Sequence, residues 1–258
     1  MINTFCIYHL GDQITHLNFM RKVIEREPSI SWTHAMPAPY LAQMNEVVAD
    51  LPQIKLISLD DKPSDAIDIW KNRAGDFWQH PKRNDWLAYH IEFFDKLARD
   101  LGLESPMQEA DDFLFDYPAI ADWFVDNEYE CPQVLVINSQ PMSGQMPQYS
   151  ADAFVGLVDK LRERYSVRVT QTLPHRRHDD ILTHPLTLSQ IGGLSIASEY
   201  IIGVATGPIW PTFNIWNRDT AKLRVLMLEP ERVNIAPNTE HADCVERAVG
   251  ILMEHGVL

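Results

Sequence analysis

The chain is poor in cysteine: only Cys6, Cys131 and Cys244 occur in 258 residues. Three widely separated thiols make no disulfide framework, and none has zinc-ligand spacing, so buried free thiols are the expectation. Basic residues are also scarce, 22 against 36 acids, for a formal charge of -14. That balance disfavours a protein that grips a nucleic-acid backbone, although one local basic pocket can still hold a small phosphorylated ligand. No apolar run reaches the length of a bilayer span, and the opening residues are core-like rather than a basic segment followed by a secretory core. Cytoplasmic residence is the expectation, with room for peripheral attachment at a membrane surface. Neither G-x-G-x-x-G nor G-x-x-x-x-G-K-[ST] occurs where strands meet helices, so dinucleotide and phosphate-loop ATPase fingerprints are missing. No pair of carboxylates stands at a spacing that would indicate glycoside hydrolysis.

What remains is an ordinary globular composition, 45% hydrophobic and 22% charged, long enough for one large α/β unit or two domains. Short apolar runs alternate with amphipathic stretches, the pattern of mainly parallel sheets covered by helices. Strands are expected at the start of the chain and over residues 31–35, 54–59, 133–139, 167–170, 200–204 and 223–228. Helices are expected over 86–101, 118–129, 151–165 and 240–255. Gly102 supplies a stop for the second-quarter helix. Gly192 and Gly193 are expected to break the segment around them. Proline and acidic residues accumulate before residue 130, which places a domain boundary near 127–132: domains 1–129 and 130–258.

The stretch FCIYHLGDQITHLNFM, residues 5–20, organises the first half. A strand runs into His9, Leu10, Gly11 and Asp12, and a mostly apolar helix follows to Arg26. Gly11 permits close approach of a ligand or a positive φ, and Asp12 stands where it can cap the helix or present a carboxylate at the carboxyl edge of the sheet. Both uses fit the local residues. Between residues 70 and 86, aromatics including Trp78 are mixed with bases including Arg73, which suits either a phosphate or sugar pocket or a surface segment docked on the core. His90 lies within the 86–101 helix pattern without a companion at metal spacing, as a structural or surface histidine.

In the second half, the loop after the 133–139 strand carries Ser139, Ser143 and Gly144. It can offer amides and hydroxyls to phosphate oxygens, or simply connect strand to helix. His175, Arg176, Arg177 and His178 form a cationic group suited to a diphosphate, with structural use and metal ligation as the other readings. The buried strand ending at Val204 runs into Ala205, Thr206, Gly207 and Pro208, either a structural turn or the beginning of a helix where the hydroxyl and amides can donate to phosphate.

These islands, HLGD at 9–12, the 139–144 loop with Tyr149, Phe154 and Leu157, and above all IGVATGP at 202–208, resemble the ADP-heptose lipopolysaccharide heptosyltransferases and their broader relatives of the GT-B glycosyltransferase fold. The resemblance implies an α/β protein of two Rossmann-like domains facing across a cleft. It implies an inverting transfer of sugar from a nucleotide diphosphate sugar to an acceptor hydroxyl, on a glycan or lipid-linked glycan, with no metal or other cofactor. Asp12 would be the catalytic base. Donor contacts would come from Gly11, Ser139, Ser143, Gly144, Arg176, Thr206 and Gly207, and acceptor contacts from His9, Gln13, Arg73 and Trp78. Ala205 stands where that family commonly has aspartate, and Trp210 where it commonly has histidine. An inactive nucleotide-sugar-binding protein and a nucleotide-sugar epimerase are the other functional readings, with a nucleic-acid adaptor a third.

Overall fold

The computed structural model describes residues 1–70, 80–82, 84–141, 149–174, 186–228 and 232–258. Two parallel sheets organise them. In the first, β1 (Ile2–Phe5), β2 (Trp32–Met36), β3 (Ile54–Ser58) and β4 (Ile67–Asp68) lie in the order β3-β2-β1-β4. In the second, β5 (Val134–Ile137), β6 (Val167–Val169), β7 (Tyr200–Val204), β8 (Leu223–Met227) and β9 (Thr239–Ala242) lie in the order β6-β5-β7-β8-β9. Every pairing is parallel, so each crossover carries the chain across a sheet face.

The helices follow from their apolar periodicity. Helix α1 (Leu10–Arg26) buries Ile14, Leu17, Val23 and Ile24 against the first sheet, and its Phe19 stacks on Phe94 of α3 (Trp86–Asp100) with centroids 5.0 Å apart. Each such side chain removed from water contributes on the order of 1.5–3 kcal/mol. Asp85 caps α3 by accepting from the Ala88 amide at 3.0 Å. At the other end Gly102 takes φ 71°, with Leu103 N–H on Ala98 O and Gly102 N–H on Arg99 O. That is the left-handed stop read from the sequence. Between these lies α2 (Leu41–Val47).

The second sheet is buried on both faces, as the unbroken VLVI of β5 requires. Val134 and Val136 face α5 (Ala151–Arg162) and α7 (Val245–Glu254), whereas Leu135 and Ile137 join the core shared with the first half. That shared core includes α4 (Pro118–Asn127) and α6 (Leu188–Ile196). Although it precedes β5 in the chain, α4 packs on α6. The preceding strand-like segment bridges to the second half through Phe115 N–H on Phe213 O at 2.8 Å.

Three expectations change. Gly192 and Gly193 do not break the chain; they lie inside α6. A Cβ on Gly192 would stand 2.7 Å from Ile120 Cδ1 and one on Gly193 2.2 Å from Trp123 Cε3, so their lack of a side chain is what lets α4 approach. Residues 239–242, expected as helix from 240 onward, pair with β8 as the edge strand β9, and the terminal helix begins only at Val245. The turn after β7 continues as a 3₁₀ segment, Gly207–Thr212, rather than an α-helix, because Pro211 cannot donate to an i−4 carbonyl. Among the described residues, no helix is long and apolar enough to cross a membrane.

Candidate functional site

Sheet topology selects the location. In the first sheet, successive crossovers leave β1 on one side for β2 and β3, and on the other for β4; in the second, β5 is flanked by β6 and β7. Ligands of open α/β sheets bind outside the carboxyl ends of strands at such switch points. Both switch points here open on one cavity of about 700 Å³. Its wall takes Tyr8 to Asp12 from the end of β1, Trp70 from beyond β4, Ser139 and Gln140 from β5, and Ala205 to Pro208 from β7.

Asp12 sits in the first turn of α1, half-buried, with Oδ2 accepting the His9 amide at 3.1 Å. Desolvation raises its pKa to about 6, outweighing the opposing His9 hydrogen bond and charge. The carboxyl group is therefore ionised at neutral pH yet retains unusual proton affinity, the property a general base needs.

On the same cavity wall, Thr206 turns the chain out of β7, its amide on Val204 O at 2.7 Å. Gly207 comes against α1: a Cβ there would lie 2.7 Å from Leu10 Cβ, and one on Gly11 3.0 Å from Trp210 Nε1. Two residues without side chains thus bring the two strand edges into backbone-close contact. Beside that contact runs a stack of rings, Trp210 on Trp86 at 4.8 Å and Trp86 on His90 at 3.9 Å. His90 Nδ1 is 2.8 Å from Trp86 O, so Nδ1 carries the proton. Burial lowers its pKa to about 4, which keeps the imidazole neutral.

The cavity thus gathers Asp12, Gly11, His9, Ser139, Thr206 and Gly207. The Ser139 hydroxyl is buried there and has no hydrogen-bond partner among the described residues. Gln13 is a correction. It is fully buried and absent from the cavity wall, its amide instead donating to the carbonyls of Cys6 and Tyr8 at 3.1 Å each, so it cannot touch an acceptor. Arg73, Trp78, Ser143, Gly144 and Arg176 lie outside the described residues. Among the described residues no group of three potential ligands could hold a metal ion.

No protein-family model and no curated protein matches the chain in sequence. Solved structures do match in shape. E. coli heptosyltransferase WaaC, solved with ADP-2-deoxy-2-fluoro heptose, superposes with a TM-score of 0.59 at 10% identity over 98% of this chain and 99% of that one. A glycosyl transferase family 9 structure from Veillonella parvula gives 0.53 at 12% identity over 98% and 89%. E. coli ADP-heptose lipopolysaccharide heptosyltransferase II gives 0.52 at 10% identity over 99% and 100%. The chain has the GT-B fold.

Within this GT-B chain, sequence reasoning missed the ring stack, Tyr40 and Tyr89 on the first-half side, and Gln140 and Gln171 on the second. Trp86 and His90 sit four residues apart, so one helical face presents both. That spacing is visible in the sequence, but nothing local indicates that the face meets Trp210 and a cavity rather than solid core.

Proposed function

We propose that this chain is a glycosyltransferase that moves a sugar from a nucleotide diphosphate sugar to an acceptor hydroxyl with inversion. The observation that carries the reading is Asp12: a carboxylate of raised proton affinity at the shared carboxyl edge of two sheets, on the wall of a cavity that Thr206 and Gly207 also line. In the proposed reaction the acceptor oxygen attacks the anomeric carbon and its proton passes to Asp12. The bond from that carbon to the diphosphate oxygen breaks, and the nucleoside diphosphate leaves with the electron pair. Attack opposite to the leaving group inverts the anomeric centre. Thr206, the Gly207 amide, Gly11 and Ser139 border the donor's path, and polar groups aimed at the departing diphosphate stabilise its charge. Arg176, Ser143 and Gly144 complete the donor set in this reading.

The acceptor in this reading is a hydroxyl of a glycan or lipid-linked glycan, with His9, Arg73 and Trp78 assigned to it. The working division is residues 1–129 as the acceptor-side domain and 130–258 as the donor-side domain. The setting in this reading is the cytoplasm, with room for attachment at a membrane surface. No metal takes part in the scheme.

A panel of nucleotide sugars, ADP-heptose among them, tests the reading by thermal shift and by mass detection of released nucleotide with and without acceptor glycans. Donor-dependent transfer abolished by Asp12→Ala supports it. Binding without turnover against every acceptor overturns it in favour of a binding protein, and a change of sugar configuration without acceptor overturns it in favour of an epimerase.

A further inference from the structure

The turn that carries Asp12 is held by a buried chain of polar groups whose proton positions follow from one end to the other. Gln13 Nε2 lies 3.1 Å from two main-chain carbonyls, those of Cys6 and Tyr8. Carbonyls only accept, so both amide protons are used there and Oε1 remains as an acceptor. His34 Nε2 lies 3.1 Å from that oxygen and therefore carries the ring proton. Nδ1 of the neutral ring must then accept, and Thr4 Oγ1, 2.9 Å away, donates to it. The Thr4 oxygen in turn receives the indole N–H of Trp32 at 2.7 Å. Thr4, Gln13 and His34 are fully buried and Trp32 is 1% exposed. Burial also pushes the His34 pKa down to about 3, which keeps the ring in the neutral form this order needs.

The segment so held lies at the surface. Ile7, Tyr8 and His9, which cross from β1 to α1, are all exposed. Gln13 takes hold of this crossing at three points, because its main-chain N–H also donates to His9 O at 3.2 Å. His9 N–H is the group that donates to Asp12 Oδ2. Strand register supplies the far anchor, since Thr4 and His34 are paired neighbours on β1 and β2.

We propose that Gln13, oriented by His34, is the positioning residue for Asp12: it fixes the crossing 6–9, and with it the direction and enclosure of the carboxylate. Gln13 touches no substrate; it acts through the main chain. The inference rests on the proposed function only for what Asp12 does once it is held. The titratable groups around Asp12 are His9 and Tyr8 of the crossing, His16 one turn along α1 with Nδ1 2.6 Å from Asp12 O, Cys6 just past β1, and Tyr40, Tyr89 and His90 on the same cavity wall.

The test uses the full chain without substrate. Asp carboxyl carbons are labelled with 13C and titrated in the wild type, Gln13→Met and His34→Gln, with thermal melting to verify folding. Gln13→Met keeps the volume and loses both donations, so water reaches the carboxylate and its midpoint drops by about one pH unit toward the ordinary carboxylate range. In His34→Gln a side-chain amide can still donate to Gln13 Oε1, and the midpoint stays at the wild-type value. If Gln13→Met does not fold, His34→Leu, which removes the donor to Gln13, takes its place and shows the same drop. An Asp12 midpoint unchanged in the folded Gln13→Met or His34→Leu protein overturns the proposal, as does an equal drop in His34→Gln. Because no sugar is added, either outcome stands whether or not the transferase assay succeeds.

Discussion

Replacing the proposed base should make the folded protein more stable at neutral pH. Asp12 has an ordinary pKa of 3.8 in the unfolded chain and about 6 in the fold, so between those values the folded state binds the extra proton. Stability therefore falls as pH rises through this window, and the penalty is complete above pH 6. At about 1.4 kcal/mol per pH unit, the full difference amounts to about 3 kcal/mol. Asp12 borders a cavity rather than closed core, so screening reduces the usable amount to about 1–3 kcal/mol. Asp12→Asn removes the ionisation while its amide oxygen can still accept from the His9 amide. Urea unfolding should show the variant more stable than wild type by that amount at about pH 7.5, with the gap closing toward about pH 4, where the wild-type carboxyl is protonated in the fold. Transfer should be lost at both. An Asp12→Asn protein no more stable than wild type at the higher pH, or a gap of the same size at both, would refute the claim that the fold strains this carboxylate.

Other substitutions test the packing that builds the site. Gly207→Ala puts a methyl 2.7 Å from Leu10 Cβ; urea unfolding should show a loss of about 1–3 kcal/mol, and donor binding should weaken as the two strand edges part. Gly193→Ala drives a methyl to 2.2 Å from Trp123 Cε3, so it should destabilise despite alanine's higher helix propensity. A Trp123→Leu second change should recover most of the loss in a double-mutant cycle. Arg224 is fully buried; it donates to Asn217 O and Oδ1 at 2.7 and 2.8 Å, and burial lowers its pKa to about 10. Arg224→Met takes the donor from the buried Asn217 Oδ1 and leaves Asn217 O with only the Ala221 amide at 3.2 Å, and chemical denaturation should report a loss of about 1–3 kcal/mol.

Local pattern carried most of the strands, α1, α3 and the Gly102 stop, because periodicity and a left-handed cap depend on neighbours in sequence. Asp12, Gly11, Thr206 and Gly207 were also legible, since a polar or glycine residue just past a buried strand marks the carboxyl edge of a sheet. Elsewhere the same residue types were ambiguous. Gly192 and Gly193 looked like a break but serve a helix contact with Ile120 and Trp123. Gln13 was an acceptor contact only by resemblance, yet one step along a helix from Asp12 turns a side chain by about 100°, here from the cavity into the core. The edge strand at 239–242 was hidden because its partner, β8, supplies the evidence for it.

By itself, then, the amino-acid order determined which segments are strands and helices and which residues stand at strand ends. Only the tertiary structure decided that two such ends share one cavity, that Trp210, Trp86 and His90 form a stack beside it, and that Gln13 faces inward to hold the Asp12 turn. The physical reason is range: hydrogen-bond periodicity acts over a few residues, whereas burial, ring stacking and the pKa of Asp12 are set by groups far apart in the chain that meet only when it folds.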